Sequence, residues 1–244
     1  MLPLQCDAFQ PGALHTRKKI YQSPSKSSWT SRVPAVAAEK GAAGGPAAPK
    51  PETPASATPS PRSPPSGQIP RMNDCGSVAV VLEAHAAYGL RMKPIDLSAC
   101  WNRIGKLSSN RREQQWLRQN TEALIPLLEQ TKRDAGRLPA RPLANAAHGL
   151  AKVAAATGWK PGPDVWTLFE QRGLLVVNEF EPQESSNTVW AFATAGHAAP
   201  ALFDGVAKAA APRLHEFKPQ NFANTVWAFA TAGHAAPALF DAVA

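Results

Sequence analysis

Residues 187–204, Asn-Thr-Val-Trp-Ala-Phe-Ala-Thr-Ala-Gly-His-Ala-Ala-Pro-Ala-Leu-Phe-Asp, recur letter for letter at residues 224–241, a spacing of 37. A repeat of this length is typical of a supersecondary unit that buries its apolar face only by stacking on copies of itself. Two diverged copies lie upstream, because residues 144–153 align with 186–195 and residues 98–107 fit the same frame. The sequence therefore predicts about four stacked units.

Each unit is predicted to contain two helices, A and B. Helix A begins near a proline in its first turn, where the missing N–H removes no helical hydrogen bond; these prolines are Pro142, Pro182 and Pro219. Its apolar residues recur at helical spacing, at Val189, Phe192 and Ala193 in one copy and at Val226, Phe229 and Ala230 in the next. Alanine fills most other positions, which favours helix and close packing between helices.

Glycine and proline mark the ends of these helices. Gly196 and Gly233 are expected to end helix A in a left-handed conformation, and Pro200 and Pro237 then begin helix B. The apolar residues of helix B are Leu202, Phe203 and Val206, and further upstream Leu124, Ile125, Leu127 and Leu128. The strand-like run 174–177 continues a helix B equally well. The fold class predicted is therefore all-α, an α-solenoid of stacked two-helix repeats with a disordered N-terminal tail.

The first 72 residues differ in composition from the rest of the chain. They contain 13 of the 24 prolines, and residues 41–70 consist mainly of Ala, Pro, Gly, Ser and Thr. Such a segment buries too little apolar surface to offset the entropy of ordering it. We therefore predict a disordered basic tail at 1–72 and an α-helical repeat domain at 73–244, whose last unit is truncated.

Basic residues are concentrated in two parts of the chain, whose net charge is +8. Residues 1–71 hold nine Lys and Arg against three acidic residues, and residues 91–152 hold twelve against five, whereas residues 153–244 hold five against eight. The acid-poor tail fits an organellar transit peptide, and equally a disordered basic extension that attracts phosphates. The first interpretation predicts a mitochondrial or plastid location, and the second a cytoplasmic one.

One face of helix A carries the candidate binding residues, because positions i, i+4 and i+7 share a face. Across the four units these positions hold Ala99, Arg103 and Lys106; Asn145, Gly149 and Lys152; Asn187, Ala191 and Thr194; and Asn224, Ala228 and Thr231. Stacking is expected to join them into a polar stripe that is basic at its N-terminal end. Such a stripe suits single-stranded RNA, since Lys and Arg bind phosphates while Asn and Thr reach base edges.

Two further groups are candidates for contacts with bases. Glu184 and Asn221 occupy the same first-turn position in the twin repeats but differ in identity, as base reading requires. Trp101, Trp190 and Trp227 are candidates for stacking on bases. Each candidate has a structural alternative: the recurring Asn forms a hydrogen bond between repeats, the tryptophans belong to the core, and the charges at 103–118 form a solvated face.

Two segments resemble octotricopeptide-type helical repeats: Asn-Phe-Ala-Asn-Thr-Val-Trp-Ala-Phe-Ala-Thr-Ala-Gly-His at 221–234 and Leu-Ala-Asn-Ala-Ala-His-Gly-Leu-Ala-Lys-Val at 143–153. These repeats are abundant in algal organellar proteins and are related to the helical repeats of the FAST-kinase-domain family. They are also similar to a domain in a subunit of the trypanosomatid RNA-editing substrate-binding complex. The resemblance covers about residues 77–244, and residues 78–85 with 98–107 resemble the opening half-repeat of such proteins.

The resemblance implies an organellar RNA-binding protein that acts in transcript processing, stability or translation, with other proteins of an RNA-processing complex as further partners. The alternative is a protein-binding solenoid scaffold that uses the same surface without contacting nucleic acid. No HExxH, GxGxxG, Walker A or GxSxG pattern occurs, and His197 and His234 follow glycines as expected of helix-capping residues. We therefore expect no enzymatic activity, no cofactor and, lacking a long apolar run, no membrane span.

Overall fold

The computed structural model describes residues 67–241, and every regular element in this range is helical. The α-helices are α1 (Val78–Tyr88), α2 (Pro94–Leu107), α3 (Arg111–Gln119), α4 (Ile125–Asp134), α5 (Ala140–Thr157), α6 (Pro163–Val176), α7 (Pro182–Ala195), α8 (Pro200–Ala210), α9 (Pro219–Ala232) and α10 (Pro237–Asp241). The all-α prediction is thereby confirmed for the described range. The predicted disordered tail up to residue 66 lies outside the described residues.

The helices pack in two layers, as expected of an α-solenoid. The A helices α2, α5, α7 and α9 lie side by side in chain order and form the first layer. The B helices form the second layer, in which α6 packs on α8 and α8 on α10, while α4 lies near α1. The strand-like run 174–177 is helical, because α6 extends to Val176 and a 3-10 turn follows it.

The helix boundaries follow the glycines and prolines that the sequence marks. α7 and α9 begin at Pro182 and Pro219, and both end at a glycine in the left-handed region, with φ of 65° at Gly196 and 63° at Gly233. The residue after each glycine closes the helix through its backbone, since the N–H of His197 donates to Phe192 O at 3.2 Å. The two imidazoles do not cap: His197 Nε2 lies 3.8 Å from Glu170 Oε2, and His234 Nε2 lies 2.8 Å from Asp204 Oδ1.

The first unit contains one helix more than the sequence predicts. The repeat spacing predicts a loop at 108–112, but α3 begins at Arg111, where the side chain of Asn110 accepts a hydrogen bond from the Arg112 N–H at 2.8 Å. Leu117 is its buried side chain, and Arg118 Nη2 donates to Ala156 O at 2.9 Å. Only two residues of α3, Trp116 and Leu117, are apolar, and they are too few to mark a helix by a recurring apolar spacing.

Each connection that leads from the second layer back to the first layer has the same backbone geometry. A 3-10 turn is followed by an apolar residue and an N-cap residue, both extended, and then by helix A. The extended apolar residues are Met92, Leu138, Phe180 and Phe217. An arginine binds the carbonyl at two of them: Arg172 Nε donates to Leu138 O at 2.7 Å, and Arg213 Nη1 donates to Phe180 O at 3.1 Å.

The core lies between the two layers. Phe192 and Phe229, predicted on the apolar face of helix A, are both fully buried. The Phe192 ring meets Trp166 edge to face at a centroid distance of 5.4 Å, and the Phe229 ring meets Phe203 at 5.0 Å. These aromatic pairs join the A helices α7 and α9 to the B helices α6 and α8.

The A helices approach most closely where α2 crosses α5. A Cβ added to Gly105 would lie 2.9 Å from Gly149 Cα, and one added to Gly149 would collide with the Trp101 carbonyl. The two helices therefore contact each other through their backbones. Ala191 and Ala228 occupy the position of Gly149 in the next two A helices and are also fully buried.

We expect Gly149→Ala to destabilise the protein by about 1–3 kcal/mol, because the added methyl forces α2 and α5 apart. Gly136→Ala is the matched control, since a Cβ there meets nothing within 4 Å and should change the free energy of unfolding by less than ~0.5 kcal/mol. Urea unfolding followed by circular dichroism measures both. Equal stability of the two variants would contradict the close backbone contact.

Candidate nucleic-acid interface

The outer surface of the A helices consists of four rows of equivalent residues, which we call the A-helix wall. In each helix these residues are spaced i, i+4, i+7 and i+11, and all are exposed or half-buried. The rows are Ile95, Arg141, Gln183 and Gln220; Ala99, Asn145, Asn187 and Asn224; Asn102, His148, Trp190 and Trp227; and Lys106, Lys152, Thr194 and Thr231.

The wall differs from the predicted stripe in its middle position. The stripe placed Arg103, Gly149, Ala191 and Ala228 between the Asn row and the Lys/Thr row. Gly149, Ala191 and Ala228 are instead buried between neighbouring A helices. The residue one position earlier is the one that reaches the surface. The exposed middle row therefore contains His148 and two tryptophans in place of small residues.

The basic candidates differ in their availability. Arg103 is half-buried and its guanidinium is engaged within the fold, because its Nε and Nη2 donate to the carbonyl of Cys75 at 2.8 and 2.6 Å. Lys106 is exposed and Lys152 is half-buried, and neither forms an ion pair within residues 67–241. Arg141, in the first turn of α5, is a further exposed cation on the wall that the sequence pattern does not single out.

The asparagines of the wall keep their amides available. Asn145, Asn187 and Asn224 are half-buried, and none forms a side-chain hydrogen bond to another residue in the described range. The alternative of a hydrogen bond between repeats is therefore not seen there. In the last row Thr231 is exposed, whereas the hydroxyl of Thr194 is buried without a partner among the described residues.

The three tryptophans have different environments. Trp101 is fully buried, its Nε1 donates to Thr131 Oγ1 at 2.8 Å, and its ring stacks on Trp159. Base stacking by Trp101 is therefore excluded, and the core alternative is correct for this residue. Trp190 is half-buried, and Trp227 is 46% exposed.

His148, Trp190 and Trp227 form a continuous aromatic row across α5, α7 and α9. The ring centroids of His148 and Trp190 are 4.9 Å apart, and those of Trp190 and Trp227 are 6.3 Å apart. Burial, and secondarily the charge of Lys152, lowers the pKa of His148 to about 4. The imidazole is therefore neutral at physiological pH, and the row presents uncharged rings.

The pKa of His148 makes stability depend on pH. Because the imidazole protonates near pH 6.5 in the unfolded chain and near pH 4 in the folded one, stability is lost as the pH falls through this window. At pH 4.5 the loss from this group is on the order of 2 kcal/mol. We expect His148→Gln to reduce the pH dependence of urea unfolding between pH 7 and pH 4.5. His215→Gln, at an exposed site, is the control and should retain the full dependence.

The N-terminal ends of the A helices border a groove of about 290 Å³, here called the Glu184 groove. Its lining includes Arg141, Gln183, Glu184, Glu216, Lys218 and Asn221. The two first-turn candidates, Glu184 and Asn221, thus line the same groove. Glu184 is only 8% exposed, and its Oε2 has no hydrogen-bond partner among the described residues. This burial is not visible in the sequence.

No protein-family model matches the sequence, and no curated protein is significantly similar to it. Within residues 67–241, no cluster of three or more His, Cys, Asp or Glu side chains is arranged to hold a metal ion. In the same range, no helix combines the length and apolar character needed to cross a bilayer.

Proposed function

We propose that the chain binds single-stranded RNA along the A-helix wall. The aromatic row His148–Trp190–Trp227 is the observation that carries the proposal, because it places an exposed or half-buried aromatic ring on each of three consecutive A helices. Proteins that bind single strands combine such stacking platforms with cations that follow the backbone. Lys106 and Lys152 supply cations one helical turn from this row, and Arg141 supplies another at the opposite end of the wall.

The asparagine row supports the proposal further. Unstacked RNA bases are recognised through their Watson–Crick and Hoogsteen edges, and amides both donate and accept hydrogen bonds. Asn145, Asn187 and Asn224 lie one turn from the aromatic row and have no side-chain partner in the described range. A base that stacks on a ring of the middle row lies within reach of these amides.

The cellular role follows from the resemblance to octotricopeptide-type repeats. We place the protein in a mitochondrion or plastid, where it acts in the processing, stability or translation of transcripts, together with other proteins of an RNA-processing complex. A protein-binding scaffold that uses the same wall is the competing function. Measurements of binding to short single-stranded RNA distinguish the two, because the scaffold has no RNA affinity to lose.

The lysines of the wall predict the salt dependence of RNA binding. We expect Lys106→Ala with Lys152→Ala to weaken binding and to flatten the slope of log affinity against log salt by about 0.7 for each phosphate that is no longer neutralised. Lys208→Ala, exposed on the B helix α8, is the matched control and should change neither. Fluorescence anisotropy at several salt concentrations measures both quantities. An unchanged slope in the double variant would exclude the lysines from the interface.

From the exposed ring of Trp227 we predict a separate loss of RNA affinity that does not depend on salt. Since stacking on one base contributes ~1–3 kcal/mol, Trp227→Ala should weaken RNA binding about 5- to 150-fold while leaving the salt slope intact. Leu175→Ala removes a side chain that is 75% exposed on the B helix α6 and serves as the control. Wild-type affinity in the Trp227 variant would favour the scaffold alternative.

A further inference from the structure

The Glu184 groove contains a buried carboxylate, one oxygen of which accepts no hydrogen bond from the described residues. Glu184 is more than nine-tenths buried, and its Oε2 lacks a hydrogen-bond partner within residues 67–241. Leaving a buried charged oxygen unpaired is costly, unless a ligand supplies the missing donors. No ion pair within 4.0 Å joins Glu184 to Arg141 or Lys218, although all three line the groove.

The other acidic residues of the groove are already paired. Arg213 Nη2 lies 3.0 Å from Glu181 Oε2 and 2.7 Å from Glu216 Oε2. The hydrogen bond from Arg213 holds the pKa of the Glu216 carboxyl below its usual range. Glu184 is therefore the carboxylate of the groove that still needs donors.

A single base fits the size and chemistry of this groove. Its volume of about 290 Å³ is at the lower end of the ~300–1,000 Å³ typical of small-molecule pockets. An ionised carboxylate only accepts hydrogen bonds, so it selects a base edge with adjacent donors. Guanine presents N1–H and N2–H side by side, whereas adenine, cytosine and uracil each place an acceptor next to their donor.

Building on the proposed RNA binding, we infer that the Glu184 groove holds a guanine base of the bound strand, with the Glu184 carboxylate accepting hydrogen bonds from N1–H and N2–H. Arg141 and Lys218 are exposed at the rim of the groove. They are placed to bind the phosphates on either side of that base. Asn221, on the α9 side, supplies an amide to the same groove.

The test uses the full chain and short oligouridine strands that carry one central guanosine, adenosine or cytidine. Wild-type protein is expected to bind the guanosine strand at least about fivefold more tightly than the other two. In Glu184→Gln the amide pairs with adenine, so the preference is lost or shifts toward the adenosine strand. Glu179→Gln makes the same change at an exposed site just before α7 and should keep the guanosine preference. Thermal melting checks that each variant is folded.

The outcomes separate this inference from the proposed function. Equal affinity of the wild type for the three strands, or an unchanged preference in Glu184→Gln, overturns the guanine assignment and leaves RNA binding intact. If no strand binds, the melting temperature of the protein with guanosine or adenosine monophosphate shows whether the groove still binds guanine. Suppose that guanosine monophosphate raises the melting temperature of the wild type and that Glu184→Gln abolishes this rise. The guanine site in the groove is then retained, while the proposed RNA binding fails. If guanosine monophosphate does not raise the melting temperature, both the guanine site and the proposed RNA binding are refuted.

Discussion

The side-by-side packing of the A helices α2, α5, α7 and α9 joins their outer residues into one surface. Because a side chain at Gly149 would collide with the Trp101 carbonyl, α2 and α5 lie as close as two helices can pack. Ala191 and Ala228 occupy the position of Gly149 in α7 and α9 and are also fully buried. Across α5, α7 and α9 the ring centroids of His148, Trp190 and Trp227 lie 4.9 and 6.3 Å apart, so that the three side chains form one row. Bulkier residues at these positions would separate the rings along with the helices.

The twin repeats show that burial depends on neighbours as well as on sequence. Residues 187–196 and 224–233 are identical, yet Val189 is fully buried and Val226 half-buried. α7 packs between α5 and α9, whereas α9 has a neighbouring A helix on one side within the described range. The same sequence thus gives a partly covered Trp190 and an open Trp227. Identical repeats therefore need not contribute equally to binding.

The local signals in the sequence predicted the helices well but oriented helix A one position away from its true surface. Pro182 and Gly196 bound α7 as predicted, because each acts through its own backbone geometry. From the sequence, either Trp190 or Ala191 could be the surface residue of the middle row, because the two lie only about 100° apart around the helix axis. A small residue fits either a buried or an exposed position, so only the packing of α5 and α9 against α7 determines which of the two residues is exposed. The burial of Glu184 and the bond from Arg103 to Cys75 likewise depend on contacts between distant segments.

The net charge of the chain is a poor guide to the charge of the A-helix wall. Arg103, Arg172 and Arg213 each donate to the carbonyl of an extended residue that follows a 3-10 turn. Lys132 is paired with Glu129 and Asp164, both at 2.7 Å. These cations bind groups within the solenoid, whereas Lys106, Arg141 and Lys152 on the wall form no ion pair within residues 67–241. Those three lie on α2 and α5, while the exposed tryptophans lie on α7 and α9. A strand that crosses the helices in order would thus be held by charge at one end and by stacking at the other.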